Sequence, residues 1–157
     1  CGVDVLPTVC EITGIPLPAD RKIDGTSIAG LLTGKTDSVK RETPLYWFFY
    51  RMNPALAMRD GKWVLIADSN DAMREQTHPL IAEDMPFIKS SKPQSFMLYD
   101  LDTELDQRTD VSSQHPETFD RLKKLMIRMH ADVLSESPVW EVPDNGKENK
   151  ARIWDSY

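Results

Sequence analysis

Apolar positions recur in two helical stretches and a series of strand-like runs. Val5, Leu6, Val9, Cys10 and Ile12 crowd most of the circumference of a helix over residues 5–13, with Asp4 as its N-cap and Gly14 as its stop. Pro7 falls in the first turn, where its missing N–H has no intrahelical partner to lose. A helix apolar on so many sides wants burial on more than one of them. Residues 15–25 carry two prolines and then charges, and read as loop. A short helix over 27–33 follows, capped by Thr26 or Ser27, with Ile28, Leu31 and Leu32 on one face and Gly34 at its end.

Residues 35–43 form a charged linker. Beyond it, Leu45 to Tyr50 is a strand by β-propensity, with aromatic or apolar side chains on both faces. Residues 55–60 and 62–67 are two further strands, and the Asp60-Gly61 pair between them marks a tight two-residue hairpin turn in which both positions need positive φ. The 68–95 excursion is polar, punctuated by Pro79, Pro86 and Pro93, with room for a helical turn or two around Asp84–Lys89. Phe96 to Leu101 reads as a fourth strand.

From Pro116 the period lengthens again. Phe119, Leu122, Leu125, Met126, Met129, Val133 and Leu134 step by three and four, opposite Asp120, Arg121, Lys123, Lys124 and Arg128. This predicts one amphipathic helix of roughly 20 residues, ended before Pro138. Strands and helix together predict an α+β fold: an antiparallel sheet of about four strands packed against one long C-terminal helix, preceded by two short helices. The expected division is 1–43 for the two helices and linker, 44–140 for the sheet and helix, and 141–157 for a polar tail anchored by Trp154.

Composition narrows the possibilities. The 157 residues are 40% hydrophobic, enough for a core, and carry 25 acidic against 19 basic side chains, a net charge of −6. That balance argues against nucleic acid or an anionic membrane as partner. No apolar run approaches the ~18–20 residues of a membrane span. Cys1 and Cys10 supply neither a disulfide framework nor a zinc site; one bridge or two separate thiols remain open. The opening Cys1-Gly2, with no leader before the first helix, predicts a start inside a longer protein.

Candidate chemistry is sparse. Asp100, Asp102, Glu104 and Asp106 alternate as in a calcium loop, but Leu105 and Val111 stand where an EF-hand needs its glycine and its bidentate glutamate, so a solvated turn is the better reading. His78, His115 and His130 have no metal-ligand spacing, and surface or cap roles are expected of them. No nucleophile elbow and no phosphate-cradling glycine loop occurs. Neither catalytic residues nor metal ligands are therefore assigned. The aromatics of 46–50 are expected in the core rather than on a binding platform.

The order of the pieces adds a resemblance. Asp4-Val5-Leu6-Pro7-Thr8, Gly14-Ile15-Pro16-Leu17-Pro18, Asp24-Gly25-Thr26-Ser27 and Leu31-Leu32-Thr33-Gly34-Lys35 resemble a stretch of the type I, arylsulfatase-like sulfatases of the alkaline phosphatase superfamily. Pro44-Leu45-Tyr46-Trp47, Ala57-Met58-Arg59-Asp60-Gly61-Lys62-Trp63, Leu98-Tyr99-Asp100-Leu101 and the helix after His115-Pro116-Glu117 are similar to that family's C-terminal region. The turn at 102–110 departs from the family's usual Asp-Pro-Gly-Glu.

The resemblance implies the C-terminal portion of a sulfuric ester hydrolase, with residues 1–43 as the end of the α/β catalytic lobe. It implies calcium and a formylglycine in the full-length parent, an upstream catalytic lobe as partner, a sulfated substrate, and a secreted, periplasmic or lysosome-like compartment. Neither Cys1 nor Cys10 heads the C/S-x-P-x-R sequence that yields formylglycine, so no cofactor is expected in this chain and no activity of the chain alone. Arg51, Met52 and Asn53, with the 68–95 excursion, are the candidate substrate-rim residues. The rival reading is a free-standing binding or interaction module derived from such a subdomain. Loss of the upstream lobe would leave residues 3–33 prone to self-association.

Overall fold

The computed structural model describes residues 1–50, 55–69 and 84–139, which divide into two compact units. The first unit comprises Cys1–Leu45 and the hairpin tip Arg59–Lys62; the second comprises Tyr46–Met58 and the chain from Trp63 onward.

In the first unit a 3-10 turn, Gly2–Asp4, runs directly into α1, Val5–Thr13. Gly14 closes the helix at φ 71°, and the Ile15 N–H returns to the Cys10 carbonyl at 3.0 Å, satisfying an otherwise orphaned acceptor. Asp4 does not cap α1: it has helical backbone angles and makes no side-chain cap bond. The second helix, α2, is only Ala29–Leu32 and begins after Ile28. Ser27 does act near its start, its Oγ accepting the Ala29 N–H at 3.2 Å. Gly25 sits where the chain crosses the first turn, and a Cβ there would lie 1.8 Å from the Val3 carbonyl oxygen. Only glycine permits that approach.

The second unit is built on a four-stranded antiparallel sheet of order β1-β2-β3-β4, formed by Leu45–Phe49, Ala55–Asp60, Trp63–Asp68 and Gln94–Asp100. The β2–β3 loop is Gly61-Lys62, one residue later than the Asp60-Gly61 pair expected, with Asp60 still in the strand. Only Gly61 of this pair has positive φ, 60°, as in a turn with glycine at its first central position. Strands β3 and β4 pair Trp63 with Asp100, Leu65 with Leu98 and Ile66 with Met97, then slip before Asp68 meets Gln94. The extra residue lies on β4, where Ser95 has φ 53°.

A short helix, α3, Met85–Lys89, precedes β4, and α4, Pro116–Glu136, ends the described chain as the long helix the periodicity predicts. Leu122 and Met126 of α4 join Leu56, Met58, Leu65, Ala67, Leu98 and Val111 in one core cluster, with Tyr46, Phe48, Phe96 and Phe119 packed around it. Two expectations fail here. Val133 faces outward, and the next buried position on the stripe after Met126 is His130. Strand β1 places Tyr46 and Phe48 on the core but leaves Trp47 45% and Phe49 56% exposed, because successive side chains point to opposite faces. Two of the five aromatics of 46–50 are therefore not core.

Candidate functional site

The first unit is tied together around Asp4, which is 3% exposed. Its Oδ1 accepts the Thr26 N–H at 2.9 Å and the Arg41 Nη1 at 2.7 Å. Arg41 also donates from Nε to the Thr43 carbonyl at 3.2 Å. One turn along α1, Thr8 donates to the Asp4 carbonyl at 2.6 Å and accepts the Ile28 N–H at 3.1 Å. Burial opposes the charge on Asp4, but donors led by the Thr26 amide and the Arg41 guanidinium outweigh it and hold the carboxyl down to about 2. The carboxylate is thus held ionised by the fold's own donors, a structural role that does not suit it to proton transfer near neutral pH.

Beside this knot lies an open pocket of about 420 Å³ whose wall includes Cys10, Glu11, Thr26, Ser27, Lys40 and Glu42. Cys10 is buried and Cys1 exposed, and both are free thiols, so no bridge joins them.

In the second unit the polar centre is His130, 2% exposed. Its Nδ1 lies 2.8 Å from the Tyr46 hydroxyl, and its Nε2 lies 2.9 Å from Ser91 Oγ and 3.1 Å from the Ser91 carbonyl. A carbonyl only accepts, and the Ser91 hydroxyl spends its hydrogen on the Ile88 carbonyl at 2.7 Å. Nε2 must therefore carry the ring hydrogen, and Nδ1 accepts from Tyr46. Burial lowers the His130 pKa against the opposing pull of the Ser91 carbonyl, and burial raises that of Tyr46, so both stay neutral near pH 7. Beside them, Lys89 Nζ donates to the Leu134 carbonyl and Ser137 Oγ, each at 2.7 Å, and to the Ser137 carbonyl, capping the end of α4. His115, by contrast, is an exposed N-cap residue stacked edge-on against Trp63.

The acidic residues after β4 satisfy their own turn. Asp100 Oδ1 accepts the Asp102 N–H, Glu104 accepts those of Arg108 and Thr109, and Asp110 accepts those of Leu98 and Ser112. Among the described residues no three His, Cys, Asp or Glu side chains are grouped to hold a metal ion. Among the described residues the carboxylates of this turn are occupied by backbone amides, and neither Cys1 nor Cys10 heads a C/S-x-P-x-R sequence. The rim candidates Arg51, Met52 and Asn53 lie outside the described residues, as do His78, Trp154 and residues 70–83 of the excursion.

Sequence reasoning misses two of the residues that organise these centres. Arg41 sits in what reads as an anonymous linker, and His130, expected at the surface or at a cap, is instead buried in the middle of α4. A histidine at four-residue spacing from Leu122 and Met126 is the signal that would have revealed the second.

No family model and no curated protein matches the chain. Solved structures share its fold. Ps i-CgsB superposes over 97% of this chain with TM-score 0.55 and 15% identity. A protein solved with its substrate D-glucosamine-2-N,6-O-disulfate covers 88% at TM-score 0.53 and 14% identity. The yidJ protein of Bacteroides fragilis, put forward as a sulfatase, covers 85% at TM-score 0.51 and 15% identity. At such identities the likeness is one of fold. The chain spans only 29%, 25% and 26% of those three structures, about a quarter of their length. Among the described residues no helix is long and apolar enough to cross a membrane.

Proposed function

We propose that this chain is the C-terminal part of a sulfatase, a sulfuric ester hydrolase of the arylsulfatase type, and that it buttresses a catalytic lobe rather than catalysing alone. The observation that carries the reading is the Asp4 knot. Asp4 and Thr8 belong to one sulfatase-like motif and Gly25 and Thr26 to another, and these residues meet in one hydrogen-bonded crossing. The fold likeness to a protein with a sulfated glucosamine substrate, over a quarter of its length, supports the same reading.

On this reading residues 1–43 end the catalytic lobe, 44–140 form the sheet-and-helix subdomain and 141–157 a tail. The exposed apolar face of α1, where Val5 is 61% and Ile12 60% exposed, is where the remainder of the lobe packs. Arg51, Met52 and Asn53 contribute to the substrate rim. The nucleophile and metal come from the upstream lobe, and the parent works in a secreted, periplasmic or lysosome-like compartment.

The test is the coding sequence upstream of Cys1, followed by an assay. An in-frame C/S-x-P-x-R segment, with aryl sulfate hydrolysis by the joined protein and none by residues 1–157 alone, is the expected result. A start codon with no such segment would instead leave a free-standing binding module.

A further inference from the structure

His130 joins three parts of the second unit through one imidazole: Tyr46 of β1 on Nδ1, Ser91 after α3 on Nε2, and α4 through its own backbone. The ring can make both bonds only while Nδ1 is a bare acceptor. A proton added there meets the Tyr46 O–H already pointing at it, and that hydroxyl must turn away before the new N–H can donate to its oxygen. The resulting cation would be buried, with its two ring nitrogens facing the Tyr46 hydroxyl and Ser91.

Burial is what favours the neutral form. From β1 the titratable groups are Tyr46, held as a phenol, and Tyr50, whose ring contacts Phe48 and packs on Met85 and Ile88. From the 84–91 segment they are Lys89, a cation on the last carbonyls of α4, and the buried Asp84. On α4 the flanking Arg128 and Asp132 are exposed. Phe48 stands edge-on to the ring at 4.8 Å, closing an apolar side.

We propose that His130 is a proton-sensitive clasp, whose neutral Nε2–H form holds β1 and the 84–91 segment on α4 and whose protonation at Nδ1 loosens α4 from β1. The folded state keeps the ring neutral below its ordinary value of 6.5 while the open state takes up a proton. The clasp is therefore intact above that value and weakens as pH falls below it.

Nitrogen-15 NMR of the ring and amide exchange of the 157-residue chain test this together. At pH 7.5 the ring should be the Nε2–H tautomer. Below pH 6.5 the opening constant of α4 and β1 amides should rise by up to about tenfold per pH unit, the effect of one linked proton. In Tyr46→Phe the ring should titrate at higher pH than in wild type, because the bond favouring its neutral form is gone. His130→Gln, which keeps one donor and one acceptor, should remove the acid-dependent part of the opening. An Nδ1–H tautomer, or a ring titration unmoved by Tyr46→Phe, overturns the proposal. So does a His130→Gln variant that opens in acid in parallel with wild type; if that variant does not fold, the two ring measurements decide.

Discussion

Arg41 and Asp4 stand 37 residues apart in the chain and 2.7 Å apart in the fold. The pair closes the loop made by α1, the 15–28 segment and the linker, and it explains why a carboxylate at a helix start is not used as a cap. A cap would satisfy one amide of α1; the crossing satisfies the Thr26 amide and neutralises a guanidinium as well.

Removing the guanidinium should therefore loosen the N-terminal region. Arg41→Ala leaves Asp4 buried with fewer donors, at a cost of about 1–3 kcal/mol, moderated because Arg41 is partly exposed. The Asp4 carboxyl titrates near 2 in the fold against 3.8 in the open chain, so its contribution is complete above 3.8 and drains away as pH falls towards 2. Denaturant midpoints between pH 5 and pH 2.5 should show that loss in wild type and less of it in Asp4→Asn. A wild-type midpoint for Arg41→Ala contradicts the assignment.

Gly25→Ala should be among the worst small substitutions in the chain. The new methyl would sit 1.8 Å from one backbone atom of Val3 and 2.6 Å from another, and no rotamer change relieves a clash with backbone. A melting temperature depressed by several degrees, with loss of amide protection in α1, is expected.

Gly61→Val tests a different effect. Nothing lies within 4 Å of the added Cβ, so the whole cost comes from holding a β-branched residue at φ 60°. About 1–3 kcal/mol of destabilisation follows. Lys62→Val, at the neighbouring loop position without positive φ, should cost far less, and equal losses at the two sites would refute the observed register.

The apolar face of α1 should drive self-association of the isolated chain. Val5, Val9 and Ile12 are all exposed, and covering ~500 Å² of such surface contributes on the order of 12 kcal/mol before association costs. Light scattering should find dimers or larger species at high micromolar concentration, and Val9→Glu with Ile12→Glu should return a monomer. A wild-type chain monomeric throughout that range would show that the face needs no partner.

Elements governed by near neighbours were readable in advance. The Gly14 stop of α1, the β2–β3 hairpin and the whole of α4 follow from glycine's access to positive φ and from apolar periods of two and 3.6. The hairpin slipped by one residue, since Asp-Gly marks a turn without fixing which of its positions takes positive φ. The core stripe of α4 was legible at Leu122 and Met126 and misread at Val133, because a helical period says which positions share a face but not where that face ends.

The roles of Asp4, Arg41, His130 and Trp47 were decided only by the tertiary structure. An ionised or polar side chain is buried when distant partners repay its desolvation, and those of His130 lie 84 and 39 residues away, at Tyr46 and Ser91. Strand β1 likewise alternates in any sheet, but which of its faces meets the core depends on register and strand order. Sterics and periodicity acting over a few residues specify which elements form, though not each of their ends. The tertiary structure alone decided which polar groups those elements enclose, because that balance is struck between residues the chain keeps far apart.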